Sequence, residues 1–282
     1  MLNEFEISRW KKAGQLAARA LQFGRGLIKP GTRFLSVVEQ IETFIRHNGG
    51  DLAFPINISI NEVAAHDAPV PQDQRVFTDQ DLVKLDVGVQ VDGYIGDNAV
   101  TVDLTGRYAP LVGAAQAALA AVVPKAIPGA RLCDLGAVIE DTIKQLGFRP
   151  IRNLGGHQMN TYNLHCGVFV PNFFSKDKKK IEAGMVLAIE PFASENCDNV
   201  VDGQNCCIFN LKEAVPKKIN EMEPTLSLIK SFRGLPFSQR ALVRRLPEPI
   251  VYQQAEAMER ESLIHYYPPL MTKNGCMVAQ AE

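Results

Sequence analysis

The sequence predicts an α+β fold in which pairs of helices alternate with antiparallel strands. Two observations support this prediction. Apolar residues repeat at helical spacing in four segments, and strict apolar/polar alternation follows the first helix pair. The same order, two helices and then strands, occurs twice, so we expect two similar halves. No composition break divides the chain, and we interpret residues 1–282 as a single domain.

The first half opens with two helices, which the apolar spacing predicts over residues 7–28 and 34–45. Residues 82–104 then alternate between apolar and polar side chains on both sides of an Asp92-Gly93 step. This dipeptide is typical of a two-residue type I′ turn, so the segment is predicted to be a long β-hairpin.

The second half repeats this order. An Ala-rich helix is predicted over residues 110–123 and an amphipathic helix over 132–146, followed by strands near 149–156 and 185–193. Residues 194–270 differ, because prolines divide them into short helical pieces such as Ser238 to Leu246. We therefore expect residues 194–270 to form a helical insertion upon the main domain.

The composition excludes several classes of protein. Hydrophobic residues make up 46% of the chain and charged residues 22%, which rules out disorder. Thirty basic residues balance thirty-one acidic ones, so no overall positive field would hold nucleic acid or an anionic membrane. The most apolar stretch, 109–123, is too short to span a bilayer, and residues 1–6 lack the basic start of a signal peptide. These features predict a cytoplasmic protein.

Two further features receive ordinary interpretations. The cysteines form no C-x-x-C pair and are too few for a disulfide scaffold, so we expect reduced thiols; they are Cys133, Cys166, Cys197, Cys206, Cys207 and Cys276. The basic run of residues 176–180 is interpreted as a solvated turn, with a transient ribosome or RNA contact as the alternative.

The predicted pairing of residues across the hairpin places two carboxylates close together. If Asp92 and Gly93 form the turn, Asp86 faces Ala99 and Asp97 faces Gly88, so both carboxylates lie on one face with Cβ atoms within roughly 8 Å. An amphipathic hairpin with two solvent-facing carboxylates is the simpler explanation. Glycine neighbours on both strands instead favour the close approach of a ligand or another backbone.

Three more residues lie in positions that packing does not easily explain. His157 follows two glycines at the end of a predicted strand, and Glu190 is embedded in an apolar strand that ends at Pro191. A buried Glu costs several kcal/mol unless it is neutralised, paired or bound to metal. Glu282 follows an apolar segment and has a similar context.

Together the two Asp, two Glu and one His form an oxygen-rich set with a single imidazole. Such a set suits a pair of divalent ions such as Mn, Fe, Co or Zn, whereas a closed structural zinc site would use thiolates. Two ions about 3.5–4 Å apart would generate hydroxide from water at neutral pH and polarise a carbonyl. The residue types therefore indicate hydrolysis.

The sequence resembles the methionine aminopeptidases over essentially its whole length. The motifs that carry the resemblance are Ala53–Asn57, Ala64–His66, Lys84–Gly88, Gly96-Asp97, Gly155–His157, Leu164-His165, Ala188–Pro191 and Ala279–Glu282. Eight positions separate His157 from His165 and 92 separate Glu190 from Glu282, which is similar to the type II branch in its archaeal form without an N-terminal extension.

The resemblance implies a pita-bread fold, as in creatinase and the aminopeptidases, with pseudo-twofold halves. It implies five ligands for two divalent ions, namely Asp86, Asp97, His157, Glu190 and Glu282, of which Asp97 and Glu282 bridge the ions. His66 and His165 match the histidines that contact the scissile peptide and stabilise its tetrahedral intermediate. Glu190 matches the general base and proton shuttle, and Phe54 and Leu164 fall where the family lines its methionine pocket.

The activity implied by the resemblance is removal of the initiator methionine from nascent proteins and peptides with a small second residue. Two alternatives remain open. An X-Pro aminopeptidase or prolidase would use the same fold and ligands, and a proliferation-associated relative would be a binding protein without catalysis. The family normally continues beyond its last Glu with His-Thr and a strand. We therefore expect either a longer gene product or an enzyme that holds Glu282 less firmly.

Overall fold

A computed structural model describes residues 2–213 and 216–282 and contains the two predicted helix pairs, each packed on antiparallel strands. The helices are α1 (Glu4–Leu27), α2 (Phe34–His47), α3 (Ala109–Val122), α4 (Leu132–Gln145), α5 (Thr225–Lys230), α6 (Gln239–Val243) and α7 (Glu248–Arg260). None of these helices combines the length and apolar character needed to cross a membrane.

The strands are short apart from two hairpins. They are β1 (Asp51–Leu52), β2 (Asn57–Ile60), β3 (Val63–Ala65), β4 (Leu82–Val91), β5 (Tyr94–Asp103), β6 (Arg149–Pro150), β7 (Gly155–Asn160), β8 (Asn163–Pro171), β9 (Val186–Ala188), β10 (Phe192–Ser194), β11 (Val200–Asp202), β12 (Ile208–Leu211), β13 (Phe237–Ser238), β14 (Ile264–Tyr267), β15 (Leu270–Thr272) and β16 (Val278–Gln280). The predicted strands near 149–156 and 185–193 are each divided, because their two parts pair in different sheets.

In the first half, helices α1 and α2 cover one face of the β4–β5 hairpin. Strands β1 and β2 flank β4 on its other edge. Asn3 begins α1 with a capping box, since its side chain accepts from Glu6 N and the Glu6 carboxylate accepts from Asn3 N. Alternate apolar residues of the hairpin pack against the helices, and the stacked rings of Phe34 and Phe77 lie 4.3 Å apart at the edge of this core. The opposite face of the hairpin is therefore free to carry polar side chains.

The second half packs α3 and α4 on the sheet formed by β16, β10 and β6. The two halves meet where β16 runs beside β5. Thr101 Oγ1 donates to the carbonyl of Gln280 (2.7 Å) and accepts from the amide of Gln280 (2.8 Å), and Val100 forms a β-bridge with Ala281. These contacts bring the end of the described chain against the hairpin.

Between β11 and β15 the chain forms a smaller unit with its own apolar core. Strands β13, β12 and β14 form one sheet, and α5, α6 and α7 pack beside it. The predicted helix from Ser238 to Leu246 is shorter: Ser238 is the N-cap of α6 and accepts from Ala241 N, and the helix already ends at Val243. Arg240 pairs with the buried Glu42 of α2, and Arg244 Nη1 lies 2.6 Å from Glu42 Oε2, which ties this unit to the first half.

The prediction of six reduced thiols is wrong for one pair. Cys197 and Cys276 form a disulfide with Cα atoms 6.3 Å apart, a distance typical of such bonds. Cys197 follows β10 and Cys276 precedes β16, and the antiparallel pairing of these strands brings the two thiols together. The cysteines are 79 residues apart in sequence, so their spacing alone gave no sign of the bond.

Candidate metal centre

The hairpin places Asp86 and Asp97 as the register arithmetic predicts. Asp86 pairs with Ala99, Asp97 pairs with Gly88, and Asp92 and Gly93 both have positive φ, as a type I′ turn requires. Both carboxylates lie on the face of the hairpin that is opposite the helices.

Glu282 completes a cluster of three carboxylates. One carboxylate oxygen each from Asp86, Asp97 and Glu282 lies within 4.8 Å of the others. The Glu282 amide donates to the carbonyl of Ala99 at 3.2 Å, so the residue is held next to β5. Each pair of these residues repels electrostatically when ionised, which favours a cation among them.

His157 and Glu190 approach the same cluster from the second half. His157 lies on β7 opposite Ala188 of β9, and its Nε2 is 3.6 Å from Asp97 Oδ2 and 4.0 Å from Glu190 Oε1. The expectation that Glu190 lies inside a strand is wrong, because it occupies the gap between β9 and β10. Pro191 has no amide hydrogen and restricts the backbone of Glu190, which explains the gap. All five predicted ligands therefore line one pocket.

Gln280 is a polar residue of this site that sequence reasoning missed. Its side chain is almost fully buried, and Nε2 donates to Glu190 Oε2 at 3.2 Å and to Asp86 Oδ2 at 3.4 Å. The alternation of side chains along a strand could have indicated Gln280, because residues two apart share a face and Gln280 precedes the predicted ligand Glu282 by two. Gln280 therefore links a carboxylate of the first half to one of the second.

The two predicted substrate-contacting histidines lie beside the cluster. The rings of His165 and His157 are 4.3 Å apart, and His66 and His165 lie 5.6 Å and 6.0 Å from the ring of Tyr267. The ring centroids of His265 and Tyr267 are 4.7 Å apart. Sequence reasoning missed Tyr267 and His265 because both belong to the segment interpreted only as an insertion.

Phe54 and Leu164 share an apolar cluster next to these groups. The pocket has a volume of about 70 Å³, and Pro236, Ile208 and Tyr267 also line it. The pocket is thus apolar at one side and bounded by carboxylates and imidazoles at the other. One apolar side chain and an adjacent polar group fit such a shape.

Residues 8–211 match metallopeptidase family M24. The chain belongs to this family. It is 38% identical over 281 residues to the methionine aminopeptidase of Methanocaldococcus jannaschii, which covers 98% of this chain and 95% of that protein. The crystal structure of methionine aminopeptidase from Thermotoga maritima superposes with a TM-score of 0.70 and 25% identity, covering 99% and 92% of the two chains.

A structure of a thermophilic Arx1 superposes with a TM-score of 0.86, covers 100% of this chain and 88% of that one, and is 16% identical. At this identity the likeness concerns the fold alone. The expected pita-bread fold of this M24 protein is confirmed, with its two helix pairs each packed on antiparallel strands.

The residues of this M24 site suit divalent ions. Among the residues that the structure describes, Asp86 Oδ1, Asp97 Oδ1 and Glu282 Oε1 are buried without a hydrogen-bond partner. An unpartnered buried carboxylate oxygen is costly unless a cation compensates it. Oxygen donors with one imidazole fit Mn, Fe, Co or Zn, and the described cluster includes no thiolate.

Burial sets the protonation of these groups. It raises the pKa of Asp97, Glu190 and Glu282, and repulsion from the neighbouring carboxylates raises these three pKa values further. Burial also raises the pKa of Asp86 to about 7. It lowers the pKa of His66 to about 4, so this imidazole is neutral at pH 7. Without cations, the carboxylates therefore tend to hold protons.

The hairpin glycines explain how the pocket lined by Phe54 and Leu164 fits against the strands. A Cβ atom at Gly88 would lie 2.1 Å from Phe54 Cε1, and one at Gly96 would lie 2.6 Å from the backbone of Ala13 in α1. The expected close approach of another backbone is thus present at Gly96. At Gly88 the close neighbour is an aromatic ring.

Replacing Gly88 with Ala is expected to displace the Phe54 ring and raise KM for a methionyl tripeptide by roughly tenfold. Bound metal per chain should not change, because the three atoms nearest to the added Cβ all belong to Phe54. Steady-state kinetics and metal analysis measure the two effects. Gly14→Ala is the control, since a Cβ atom there meets nothing within 4 Å. An unchanged KM in Gly88→Ala would show that the position of the ring is not critical.

Proposed function

We propose that this M24 protein is a dinuclear metal-dependent aminopeptidase that removes the N-terminal initiator methionine from nascent proteins and peptides with a small second residue. The observation that carries the proposal is the convergence of five potential metal ligands next to a small apolar pocket. The names of its relatives support the same activity. A cytoplasmic location follows, because nascent chains carry their initiator methionine there.

The proposed ligands are Asp86, Asp97, His157, Glu190 and Glu282. Two divalent ions, Co, Mn, Fe or Zn, would supply a hydroxide at neutral pH and polarise the scissile carbonyl. Because the ligands come from both halves, we also propose that residues 1–282 act as one catalytic domain, with a helical insertion at about 194–270.

Proton transfer and the contacts with the peptide are assigned to side chains near the cluster. Glu190 is proposed to act as general base and then to carry the proton to the departing amine, because its carboxylate lies beside the cluster and lines the same pocket as His66 and His165. His66 and His165 are proposed to contact the peptide and donate to the developing oxyanion. The neutral imidazole of His66 can donate without adding charge to the site. Phe54 and Leu164 are proposed to contact the methionine side chain.

Hydrolysis of Met-Ala-Ser and Ala-Pro-Ser by the purified protein tests this assignment. We expect Mn- or Co-dependent release of Met and little release of Ala, because the pocket is shaped for one apolar side chain and the chain matches methionine aminopeptidases. Preferential cleavage of Ala-Pro would indicate the X-Pro aminopeptidase alternative. Failure of the folded, metal-loaded protein to release Met would contradict the proposal.

We further propose a transient ribosome contact through the basic run of residues 176–180. Its lysines are mostly exposed, and its backbone is tied to the start of α4, where Leu132 N donates to Lys179 O. Replacing Lys178, Lys179 and Lys180 with Glu is expected to abolish salt-sensitive co-sedimentation with ribosomes and to leave tripeptide hydrolysis unchanged. Equal co-sedimentation of the variant would favour the interpretation of a solvated turn.

A further inference from the structure

A second cavity adjoins the methionine pocket and has a different chemistry. It measures about 330 Å³ and lies between α2, β1 and the segment of residues 231–245. Phe54 and Pro236 line both spaces, whereas none of the five proposed metal ligands lines the second one. We call this second cavity the arginine cleft.

The charged residues of the arginine cleft are mostly positive. Five arginines line it, namely Arg46, Arg233, Arg240, Arg244 and Arg245. Only two carboxylates, those of Glu42 and Asp51, line it with them. The chain as a whole has a formal charge of −1, so this concentration of guanidinium groups is local. Such an excess attracts anions.

Three of these arginines are engaged in ion pairs. Arg240 and Arg244 pair with Glu42, Arg244 also pairs with Glu39 from outside the cleft lining, and Arg46 Nε lies 3.2 Å from Asp51 Oδ1. The Arg240 side chain is only 7% exposed, and its buried Nε has no hydrogen-bond partner among the residues described. A buried guanidinium N–H without an acceptor is costly, so a ligand oxygen would stabilise it.

The other two arginines, Arg233 and Arg245, form no ion pair within residues 2–213 and 216–282. Arg233 lies over the ring of Tyr162, with 3.7 Å between Cζ and the ring centroid, and Arg245 lies over Phe232 at 5.6 Å. Stacking holds the guanidinium planes while their N–H groups remain available to an anion.

We propose that the arginine cleft binds the phosphoryl group of a small phosphorylated ligand. Several guanidinium groups from different elements match the oxygens of a phosphate better than those of a single carboxylate, and phosphate recognition is a common role of arginine. The volume of about 330 Å³ is that of a small-molecule site, and aromatic rings line it beside the arginines. This site is additional to the proposed aminopeptidase activity.

The residues that line both cavities predict how a ligand in the cleft affects the proposed peptidase site. Phe54 and Pro236 line both cavities, so a ligand in the arginine cleft is expected to change KM for methionyl peptides. The proposed metal ligands do not line the cleft, so bound metal per chain stays the same.

Isothermal titration calorimetry of the full chain with inorganic phosphate, AMP and ADP tests the proposal. The protein is first treated with a chelator, because phosphate also binds divalent ions and would report on the metal centre. We expect all three probes to bind one site per chain. Equal affinities would identify the phosphoryl group as the determinant of binding. Tighter binding of AMP and ADP would show that the aromatic rings of the cleft also contribute to the affinity. The absence of binding at millimolar concentrations would overturn the proposal.

Two variants test the location of the site. Arg233→Ala/Arg245→Ala should weaken phosphate binding by about tenfold or more, because two charge-assisted donors are lost. Arg19→Ala/Arg25→Ala changes the net charge equally at exposed positions of α1 and should bind normally. Equal weakening in both variants would overturn the proposal, since it would indicate non-specific attraction.

Gln90→Glu gives a test that does not remove arginines. Gln90 lines the cleft, and its Oε1 accepts from Gly93 N, a hydrogen bond that a carboxylate retains. The new negative charge should abolish phosphate binding, with only a small fall in Tm from repulsion by Asp51, which pairs with this position across β1 and β4. Unaltered binding in this variant would contradict the proposed location. Because binding is measured on metal-free protein, neither result depends on whether the aminopeptidase assignment holds.

Discussion

Replacing Asp97 with Asn is expected to lower methionine release from Met-Ala-Ser by about 10³-fold or more. The Asp97 carboxylate lies closest to His157 and belongs to the three-carboxylate cluster, so its loss removes a charge from the centre of the site. The fold should remain intact, because Asn has nearly the same volume as Asp. Steady-state kinetics and a thermal unfolding curve measure the two effects.

Asp92→Asn provides a matched control on the same hairpin. Asp92 lies in the exposed turn, where its φ is positive and Asn is well tolerated, and its side chain pairs only with Arg9 among the described residues. This variant should retain nearly full activity. Near-normal turnover by Asp97→Asn at saturating metal would contradict the assignment of the ligand set.

Removing the divalent ions with a chelator is expected to abolish hydrolysis and lower the Tm. Ions that bind only the folded state stabilise it by about 2.7 kcal/mol when their concentration is 100 times Kd. This corresponds to a Tm change of about 5 °C for each ion in a chain of this size. The physical cause is the buried carboxylate cluster, which the ions neutralise.

The measurement is a Tm series with Mn, Fe, Co and Zn, together with metal analysis of the protein. Asp97→Asn should show a smaller metal-induced increase in Tm than the unaltered chain. If none of the four ions bound, even after reconstitution, the chain would instead be a binding protein of this fold without catalysis.

The same cluster gives the metal effect a pH dependence of known sign. A carboxyl group whose folded-state pKa is raised contributes stability at low pH, and this contribution is lost as the pH rises through its folded-state pKa. Burial raises the pKa of Asp86 to about 7, so the chelated protein should become less stable between about pH 4 and pH 7. The Tm difference between metal-loaded and chelated protein should therefore increase over this range.

The features that could be predicted from the sequence are those set by local rules. The Asp92-Gly93 turn fixes the register of β4 and β5, and this register alone brings Asp86 and Asp97 to one face. The helix pairs follow from apolar spacing, and their ends differ from the predicted ones by only a few residues.

The features that sequence reasoning missed depend on contacts between distant segments. The Cys197–Cys276 disulfide exists because β10 and β16 pair, and no local pattern encodes that pairing. Tyr267 reaches the histidines because β14 folds back on β12. Glu190 was placed in a continuous strand because apolar periodicity does not show where a chain leaves one sheet for another.

The joint between Thr101 and Gln280 has a consequence for the order of folding. These residues are 179 positions apart, and their two hydrogen bonds place β16 beside the hairpin. Contacts of such high sequence separation form late, because closure of the long loop opposes them. The hairpin with Asp86 and Asp97 can form early, but the full ligand set exists only after β16 docks. Metal uptake during refolding should therefore report the last assembly step of this protein.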